Sequence, residues 1–456
     1  MSIRPIVLAA GKGTRMRSAL PKVLHRLAGR PLLVHVLDTV SALAPAGMTV
    51  VVGHGAEAVK TTVAAETSHS IDWVTQTEQL GTGHAVQMGL PTLGDDETAL
   101  ITYGDVPLTS AHTYQALIDA SGQNSVGLLT LHMTDPTGYG RILRENNAIV
   151  GIVEQKDASV EQLAITEVNA GVIAIRGQHL KTLLDKIDNN NAQGEYYLTD
   201  IIGLAVAEGL AIAAVNPGSQ HEVDGVNSRG QLAALERLHQ QDIAAELMNN
   251  GATLADPARI DVRGTLVTGQ DVLIDINVVF EGTCELGDGV SIGPNCVLRN
   301  ARVGAGAEVR AYTTIEDSSV GENAAIGPYA RLRPGTRLGD ATHIGNFVET
   351  KNTVLGNGSK VNHLSYVGDS TIGTQVNIGA GTIFCNYDGA NKHQTTIEDD
   401  VFVGSNSALV APVTIASGAT IGAGSTISQD VPAGKLAVSR ARQKVLDWIR
   451  PVKSPK

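Results

Sequence analysis

A six-residue repeat runs through the second half of the chain and limits its possible folds more than any other feature. Aliphatic residues recur at every sixth position, and many directly precede glycine, as in Leu286-Gly287 and Ile421-Gly422. This period is typical of a parallel β-helix, in which each coil stacks its aliphatic residues on those of the next. An ordinary β-sandwich would instead alternate with a period of two and turn about every 8–12 residues. The residues that keep the six-residue period are Ile274, Phe280, Leu286, Ile292, Leu298, Val303, Val309, Ile315, Val320, Ile326, Leu332, Leu338, Ile344, Leu355, Val361, Val367, Ile397, Val403, Leu409, Ile415, Ile421 and Ile427.

The composition agrees with such a solenoid. Glycine contributes 50 of the 456 residues, whereas aromatic residues make up only 3%. Glycine adopts the positive φ that tight corners need, and aliphatic side chains fill a narrow prism better than aromatic rings do. The period breaks at 346–353 and at 384–396, where polar residues cluster. Because insertions into a solenoid become loops, and loops carry function, we expect both segments to leave the coil and hold a site.

The first half of the chain follows a different pattern, in which short apolar runs alternate with helical ones. Continuous apolar strands separated by helices indicate a mostly parallel sheet covered on both faces, which is an α/β, Rossmann-like domain. The predicted strands are 5–10, 49–53, 99–107, 126–133 and 170–175, and the predicted helices include 31–43 and 196–209.

A helical pattern joins the two halves. It begins after Ser228, a good helix cap, and ends at Gly251. We therefore expect an α/β domain at 1–227, a linker helix at 228–250, and a β-helix domain with a C-terminal tail at 251–456.

Charge and cysteine content restrict the partners. The formal net charge is -12, from 34 basic and 46 acidic residues, which argues against nonspecific binding to nucleic acid or to an anionic membrane. Cys284, Cys296 and Cys385 lack metal-type spacing and suit a reducing compartment. The apolar run at the N-terminus is too short for a signal h-region, and no stretch approaches the about 20 apolar residues of a membrane span. We expect a cytoplasmic protein without nucleic-acid or membrane partners.

Phosphate-binding chemistry is indicated after the strands of the first half. The loop LAAGKGTRM (8–16) follows the first strand. Its glycines let backbone N–H groups approach phosphates, while Lys12 and Arg15 and, further on, Lys22 add positive charge. The spacing fits neither the dinucleotide fingerprint nor the Walker loop, and a simple tight turn also accounts for two glycines. Asp105 lies at the carboxyl edge where open α/β sheets bind ligands. Its carboxylate suits Mg²⁺ beside phosphates, although an aspartate there can also merely cap a turn.

Polar residues also gather near the breaks in the solenoid. Arginine, lysine, tyrosine and asparagine together suit a sugar phosphate, and His363 among them can take a proton from an amine near neutral pH. A histidine in a solenoid corner is also common as a structural residue, and the whole β-helix can serve only trimerisation and stability. A metal bound by His343 and His363 would lack an evident third ligand. The polar candidates are Arg333, Lys351, Tyr366, Asn377, Asn386 and Tyr387.

The motifs together resemble one family over essentially the whole chain. LAAGKGTRM, LPKVLH, QLGTGHA, YGDVP, GYGRI, VEQKD, EVNAGV, GEYYLTD and DGVNSR resemble the nucleotidyltransferase half of the bacterial bifunctional N-acetylglucosamine-1-phosphate uridyltransferases/glucosamine-1-phosphate acetyltransferases. RLRPG, NFVETK, VNHLSYVGD and VNIGAGTIFCNYDG resemble the acetyltransferase half. The resemblance implies a left-handed β-helix, a homotrimer, Mg²⁺, and two steps of UDP-N-acetylglucosamine synthesis. Acetyl-CoA would acetylate glucosamine 1-phosphate, and UTP would then uridylylate N-acetylglucosamine 1-phosphate with release of pyrophosphate.

The resemblance also implies roles for individual residues. In the first half, Arg15 and Lys22 would be catalytic residues on the phosphates, and Asp105 and Asn227 would be the Mg²⁺ ligands. UTP or UDP-N-acetylglucosamine would be bound by Leu8, Ala9, Ala10, Gly11, Lys22, Gln76, Gly81, Thr82, Tyr103, Gly104, Asp105, Gly140, Glu154, Asn169 and Asn227.

In the second half, His363 would be the general base, with Glu349 orienting it. The sugar phosphate would be bound by Arg333, Lys351, Tyr366 and Asn377. Acetyl-CoA would be bound by Ala380, Asn386, Tyr387, Ser405, Ala423 and Arg440. Thr350 and Asn362 depart from the residues usual in the family, without removing a predicted ligand.

Two alternative functions stay open. One is a single-activity sugar-1-phosphate nucleotidyltransferase whose β-helix is structural or regulatory, and the other is a non-catalytic protein of the same architecture. The intact sets of polar residues in both halves argue against them.

Overall fold

The chain divides into two compact units at His239/Gln240 in the computed structural model, which describes residues 2–453. The strands of the first unit are β1 (Ile3–Ala9), β2 (Arg26–Leu27), β3 (Arg30–Pro31), β4 (Thr49–Val52), β5 (Asp72–Thr75), β6 (Thr98–Tyr103), β7 (Ser125–His132), β8 (Arg141–Glu145), β9 (Ala148–Val153), β10 (Glu167–Arg176) and β11 (Ala211–Val215). The α-helices are α1 (Leu32–Ser41), α2 (Ala56–Glu66), α3 (Thr82–Gly89), α4 (Ala111–Ala120), α5 (Val160–Leu163), α6 (Gly177–Leu184), α7 (Asp200–Ala207) and α8 (Arg229–Asn249). Short 3-10 turns cover Thr14–Met16, Lys22–Leu24, Leu90–Thr92, Gln220–Val223 and, in the second unit, Pro257–Arg259.

The first unit is built on one mixed sheet with the order β11-β7-β10-β6-β1-β4-β5. β1 runs parallel to β4 and β6, and β4 runs parallel to β5. Continuous apolar strands are buried on both faces because helices cover the sheet, and Val50 and Ile101 are fully buried. The prediction of an α/β, Rossmann-like domain is confirmed.

One predicted strand departs from the parallel arrangement. β10 is antiparallel to both of its sheet neighbours, β6 and β7. The chain enters β10 from the β8–β9 hairpin, and β8 pairs antiparallel with β10. The hairpin therefore reverses the chain direction at the point where another crossover helix would have kept it parallel.

The helix between the halves is α8, and its start and end agree with the prediction. The Ser228 hydroxyl accepts a hydrogen bond from the Gln231 N–H at 3.2 Å. In the second half of α8, the Gln240 side-chain amide donates to the Val262 carbonyl and accepts from the Val262 N–H, both at 2.8 Å. The Gln240 amide therefore satisfies backbone groups of β13 on the edge that does not pair with β15. None of the described helices is apolar enough over a sufficient length to cross a membrane.

The second unit is a parallel β-helix. Its strands are β12 (Thr253–Leu254), β13 (Ile260–Thr268), β14 (Leu273–Ile274), β15 (Val278–Leu286), β16 (Ser291–Ile292), β17 (Val297–Val303), β18 (Glu308–Val309), β19 (Thr314–Val320), β20 (Ala325–Ile326), β21 (Arg331–Leu332), β22 (Arg337–Leu338), β23 (His343–Asn346), β24 (Glu349–Leu355), β25 (Lys360–His363), β26 (Tyr366–Ile372), β27 (Asn377–Ile378), β28 (Ile383–Cys385), β29 (Thr395–Ile397), β30 (Phe402–Val403), β31 (Ala408–Val410), β32 (Val413–Ile415), β33 (Thr420–Ile421), β34 (Thr426–Ile427) and β35 (Leu436–Ala437). They form an 11-stranded and a 13-stranded sheet, with parallel pairing throughout, as between β15 and β17. Every residue of the predicted six-residue period is exposed by 5% or less, so the period does mark the core.

The two predicted breaks have different outcomes. Ile372 pairs with Leu355, 17 residues earlier, but with Ile397, 25 residues later. The extra residues form the loop after Cys385, as predicted for 384–396. The expectation of a loop at 346–353 is wrong. There, Thr350 takes an inward position between Leu332 and Val367.

Thr350 can replace an aliphatic residue because its hydroxyl is paired inside the coil. It lies 3.0 Å from the Thr336 hydroxyl, and both threonines are buried. A buried hydroxyl with a partner avoids the cost of desolvation that would otherwise exclude it from an apolar core. The coil therefore continues without interruption where the apolar pattern appeared to stop.

Candidate active sites

Two cavities lie at the carboxyl edge of the first unit's sheet. The first, of about 350 Å³, is lined by Leu8, Ala9, Ala10, Gly11, Lys22, Gln76, Gly81, Thr82, Tyr103 and Asp105, together with Val23, Gln79, Ala85 and Glu195. The second, of about 330 Å³, includes Arg15, Gly140, Glu154, Asn169 and Asn227 and shares Tyr103 and Asp105 with the first. Gly104 is the one predicted nucleotide-site residue that lines neither cavity; its N–H donates to the Leu8 carbonyl at 2.9 Å. The other residues of that set are therefore brought together.

The glycine loop after β1 packs on the lysine that follows it. Gly13 has φ of 60°, and a Cβ there would lie 2.6 Å from Lys22 Cβ. Val23 and Leu24 are buried, which anchors the turn that carries the lysine. Glycine at position 13 is thus required both by the backbone conformation and by close packing.

Lys22 joins the two residues predicted to bind Mg²⁺. Its ammonium contacts Asp105 Oδ2 and lies 3.1 Å from Asn227 Oδ1. The side chains of Lys22 and Asp105 are 13% and 14% exposed. The Val226 N–H donates to the Asp105 carbonyl at 2.9 Å, which holds Asn227 beside Asp105. The two side-chain oxygens therefore converge on one cation.

The second glycine loop, EQLGTGHA (78–85), holds an amide at the other side of the cavity. The Gln76 side chain is 4% exposed and donates to the Gly81 carbonyl at 3.1 Å. Gln79, which the sequence analysis did not single out, donates to the Ala10 carbonyl at 2.8 Å. Gln79 belongs to the segment EQLGTGHA. Its polar side chain beside the glycines of that loop could have indicated a role at the cavity.

The second cavity has an acidic, partly buried wall. The Thr199 hydroxyl donates to Glu154 at 2.9 Å, and burial raises the pKa of Glu154. The Asn169 N–H donates to the Gly140 carbonyl at 2.9 Å. Burial, with Glu154 and Asp105 nearby, also raises the pKa of the Tyr103 hydroxyl, which is therefore a neutral group at the junction of the two cavities.

In the β-helix, one corner of successive coils carries the predicted base and most of the predicted acetyl-CoA residues. The carbonyls of Asn346, His363, Ala380 and Ser405 each accept a hydrogen bond from the next coil, at 2.7–3.2 Å. The Ala423 carbonyl accepts instead from the Arg440 guanidinium at 2.6 Å. His363 is therefore followed by three coils with small side chains, a strip about 14 Å long at the usual strand spacing, that ends at an arginine.

The histidine has a partner that the sequence analysis missed. His363 Nδ1 lies 2.8 Å from Asn346 Oδ1, and the two residues are register partners on neighbouring coils. An amide oxygen only accepts, so this contact places a hydrogen on Nδ1, and in the neutral imidazole the lone pair is then on Nε2. Glu349, expected beside the histidine, instead pairs with Arg333 at 2.8 Å.

Two cations break a regular charge pattern on the same coils. Arg263, Glu281 and Arg299 lie above one another and form ion pairs, and Arg299 also pairs with Glu316 at 3.5 Å. Continuing the register, the next positions in this column are Arg333 and Lys351, followed by Gly368. Like charges on adjacent strands are unfavourable, so this pair is a natural place for an anion.

Asp369 organises the side chains around these cations. Its carboxylate accepts from Asn352 Nδ2 at 2.8 Å and from Asn386 Nδ2, and it lies 3.9 Å from Lys351 Nζ. Asn386 also donates to the Tyr366 hydroxyl at 3.3 Å. These donors hold the pKa of Asp369 below its usual value despite burial.

The remaining predicted residues lie on the coil and loop that follow. Asn377 begins β27, three residues before Ala380, and Tyr387 lies on the inserted loop, where its hydroxyl donates to the Gly389 carbonyl at 2.5 Å. The same loop brings Lys392 next to Lys351, which lowers the pKa of Lys392. Lys392 was missed because a lysine in a polar loop is ordinarily a solvated residue.

A nucleotidyltransferase unit followed by a hexapeptide-repeat transferase unit is the class that this fold and these sites define. Residues 5–145 match the MobA-like NTP transferase domain, and residues 266–300 and 394–429 match the bacterial transferase hexapeptide (six repeats).

Curated relatives match nearly the whole chain. The bifunctional protein GlmU of Cupriavidus pinatubonensis is 56% identical over 453 residues, covering 99% of this chain and 99% of that protein. The protein of the same name from Thiobacillus denitrificans is 57% identical, covering 99% and 98%, and that of Acinetobacter baumannii is 56% identical, covering 97% of both. The chain belongs to the family of bifunctional GlmU proteins.

Membership in this family confirms the resemblance on which the functional prediction depended. The chain is a bifunctional transferase, a uridylyltransferase and an acetyltransferase, with a left-handed β-helix as its second unit. The alternative of a single-activity nucleotidyltransferase with a structural β-helix is not favoured, because the relatives cover both units.

Proposed function

We propose that the first unit transfers the uridylyl group of UTP to N-acetylglucosamine 1-phosphate and that the β-helix acetylates glucosamine 1-phosphate with acetyl-CoA. One observation carries the proposal: each unit has its own set of suitable side chains. Side chains suited to bind phosphates converge in the first unit, and a histidine suited to act as a base lies in the β-helix. Domain roles follow the predicted boundaries, 1–227, 228–250 and 251–456.

In the first unit, the nucleotide would occupy the cavity between the two glycine loops. The sugar phosphate oxygen attacks the α-phosphorus of UTP, the bond to the bridging oxygen breaks, and pyrophosphate leaves. Lys22 and Arg15 stabilise the charge on the phosphates, and no covalent nucleophile is needed. Glu154 and Asn169, which line the second cavity, bind the hydroxyl and amide groups of the sugar in this proposal.

Asp105 and Asn227 fit the predicted magnesium ion. Carboxylate and amide oxygens are ligands that Mg²⁺ accepts, and it usually takes only one or two carboxylates plus phosphates and water. Among residues 2–453, no group of three or more His, Cys, Asp and Glu side chains converges as a metal site, so phosphate oxygens would have to complete the coordination. The ion would supply charge neutralisation to the phosphates.

In the β-helix, the amine nitrogen of glucosamine 1-phosphate attacks the thioester carbonyl of acetyl-CoA, and His363 Nε2 takes the proton from that amine. The carbon–sulfur bond then breaks, and the CoA thiolate leaves and is protonated. Asn346 keeps the imidazole in the tautomer that this step requires. Arg333 and Lys351 bind the sugar phosphate, while the small residues after His363 leave room for the acetyl-CoA arm.

A homotrimer in the cytoplasm completes the proposal. The corner residues Tyr312, Tyr329 and Phe347 stack at 4.8 and 5.4 Å between ring centres and are each about half exposed. Such an apolar row on the outside of a coil supports assembly with further copies, and equilibrium sedimentation measures the number of subunits.

The test assays both half-reactions on the wild type and two variants. His363→Ala should abolish CoA release from acetyl-CoA and glucosamine 1-phosphate but leave UTP-dependent pyrophosphate release intact. Asp105→Ala should show the reverse. Glucose 1-phosphate is added as a competitor in both assays. It lacks the amine, so it cannot be acetylated.

His343→Ala is the matched control, because His343 is an exposed histidine one coil earlier in the solenoid. It should retain both activities. Acetyl transfer that survives His363→Ala would contradict the assignment of the base, and loss of both activities in either site variant would indicate global damage.

A further inference from the structure

Lys22 occupies the position in which the proposed metal would sit. Its ammonium is the cation on which Asp105 Oδ2 and Asn227 Oδ1 converge. We infer that Lys22 is a built-in counter-ion that competes with the divalent cation, so that the metal binds well only after phosphates draw the lysine away. This inference rests on the proposed metal site and adds an order of binding to it.

Packing fixes the backbone and the base of the Lys22 side chain. Lys22 follows Pro21 in a turn whose next two residues, Val23 and Leu24, are buried. Gly13 lies against the stem of the lysine, where even a methyl group would meet Lys22 Cβ at 2.6 Å. The base of the side chain is therefore held within reach of the two oxygens that its ammonium contacts.

Occupation by both cations at once is unfavourable. Magnesium requires ligand oxygens at about 2.0–2.1 Å, so it would lie between the same two oxygens that the ammonium contacts. Lys22 and Asp105 are more than four-fifths buried, and charges in such surroundings are screened much less than exposed ones. The ammonium must therefore move before the metal can enter.

The cavity offers the lysine another partner when nucleotide is present. Lys22 lines the same cavity as Gly11, whose loop is suited to phosphate. Phosphate oxygens in that cavity would attract the ammonium and release Asp105 and Asn227. By linkage, nucleotide would tighten metal binding and metal would tighten nucleotide binding by the same factor.

The experiment measures Mn²⁺ binding to the full chain without nucleotide, by electron paramagnetic resonance of the free ion. Lys22→Met should bind Mn²⁺ at least about tenfold more tightly than the wild type, which corresponds to about 1.4 kcal/mol. This result is distinctive because removal of a residue proposed to assist catalysis should improve binding of the metal. Thermal unfolding gives a second measurement: Mn²⁺ should raise the Tm of Lys22→Met more than that of the wild type at the same concentration.

Lys12→Met is the matched control, since it removes the same charge from an exposed position on the glycine loop that packs against Lys22. It should change Mn²⁺ affinity by less than about twofold. If Lys22→Met does not fold, Lys22→Gln replaces it. An affinity in the Lys22 variant no higher than in the wild type, or equal gains in both variants, would overturn the inference.

Asp105→Asn separates this inference from the proposed site. If Asp105→Asn in the Lys22→Met background abolishes Mn²⁺ binding, the metal site itself is supported. If the double variant still binds Mn²⁺ as tightly as Lys22→Met, the metal lies elsewhere and the proposed ligands are wrong, whatever the effect of the lysine.

Discussion

Replacement of Gly345 by alanine should disable acetyl transfer although both His363 and its partner Asn346 are retained. Gly345 precedes Asn346, the partner of His363, and its coil lies directly against the next one. A Cβ at this position would lie 1.9 Å from the Asn362 carbonyl oxygen and 2.6 Å from its carbon. These are backbone atoms, so no side-chain rotation relieves the clash.

The size of the effect follows from these distances. Ordinary contact begins at 3.4 Å, so the coils must separate by roughly 1.5 Å at this point, and overpacking of this kind typically costs about 1–3 kcal/mol of stability. The separation falls where the His363–Asn346 hydrogen bond, 2.8 Å long, crosses between the coils. A displacement of about 1 Å in a catalytic constellation can lower the rate about 100-fold. We expect kcat/KM for acetyl transfer to fall about 100-fold.

The assay compares both half-reactions in Gly345→Ala and in Gly203→Ala. Gly203 lies in α7, where an added Cβ would meet nothing within 4 Å. Alanine there should preserve both activities and stabilise the helix by up to about 1 kcal/mol. Uridylyl transfer should stay near the wild-type rate in Gly345→Ala. Acetyl transfer within about threefold of wild type in a folded Gly345→Ala would show that coil spacing does not position His363.

Three further predictions concern charge and proton position. Asn346→Leu should lower kcat for acetyl transfer by about tenfold or more, since general-base catalysis contributes about 10²–10⁴-fold. Asn346→Asp should move the acidic limb of the pH profile to higher pH, because an anion stabilises the protonated imidazole; an unchanged profile would contradict the contact. Burial, with Asp188 and Glu154 nearby, raises the pKa of Asp200 to about 6, so its ionisation costs stability as the pH rises from about 4 to 6. Asp200→Asn should therefore raise the free energy of unfolding by about 1 kcal/mol near pH 7, after allowance for solvent screening, and by little near pH 4; equal effects at both pH values would refute the assigned cause.

The sequence predicted the β-helix because its core is periodic and local. Each inward residue, such as Ile292 or Val403, is identified by its neighbours six positions away, and all of them are buried. Thr350 could not be recognised in the same way, since its fit depends on a hydroxyl contact with Thr336 in the preceding coil. The direction of β10 was equally hidden, because an apolar run does not specify parallel or antiparallel pairing.

The family resemblance supplied the residues of the predicted nucleotide site, which lie in glycine loops and at strand ends, and all of them except Gly104 line the two cavities. The partner of His363 was not predictable, because coil length decides which residue lies above the histidine. A step of 17 residues puts Asn346 there, whereas Glu349, a more obvious choice by chemistry, lies on the next face of the coil and pairs with Arg333. Side chains that meet through the solenoid register can be assigned only when the register itself is known.

The charge column of the β-helix shows how this register also defines an anion site. In a solenoid, each surface residue has one neighbour above and one below, so alternation of charge satisfies a whole column at once, as in Arg263, Glu281 and Arg299. Arg333 and Lys351 occupy consecutive places in that column and cannot satisfy each other. Their carboxylate partners, Glu349 and Asp369, lie outside the column. A phosphate bound between the two cations would restore the alternation, which is why we propose this position for the phosphate of the sugar substrate.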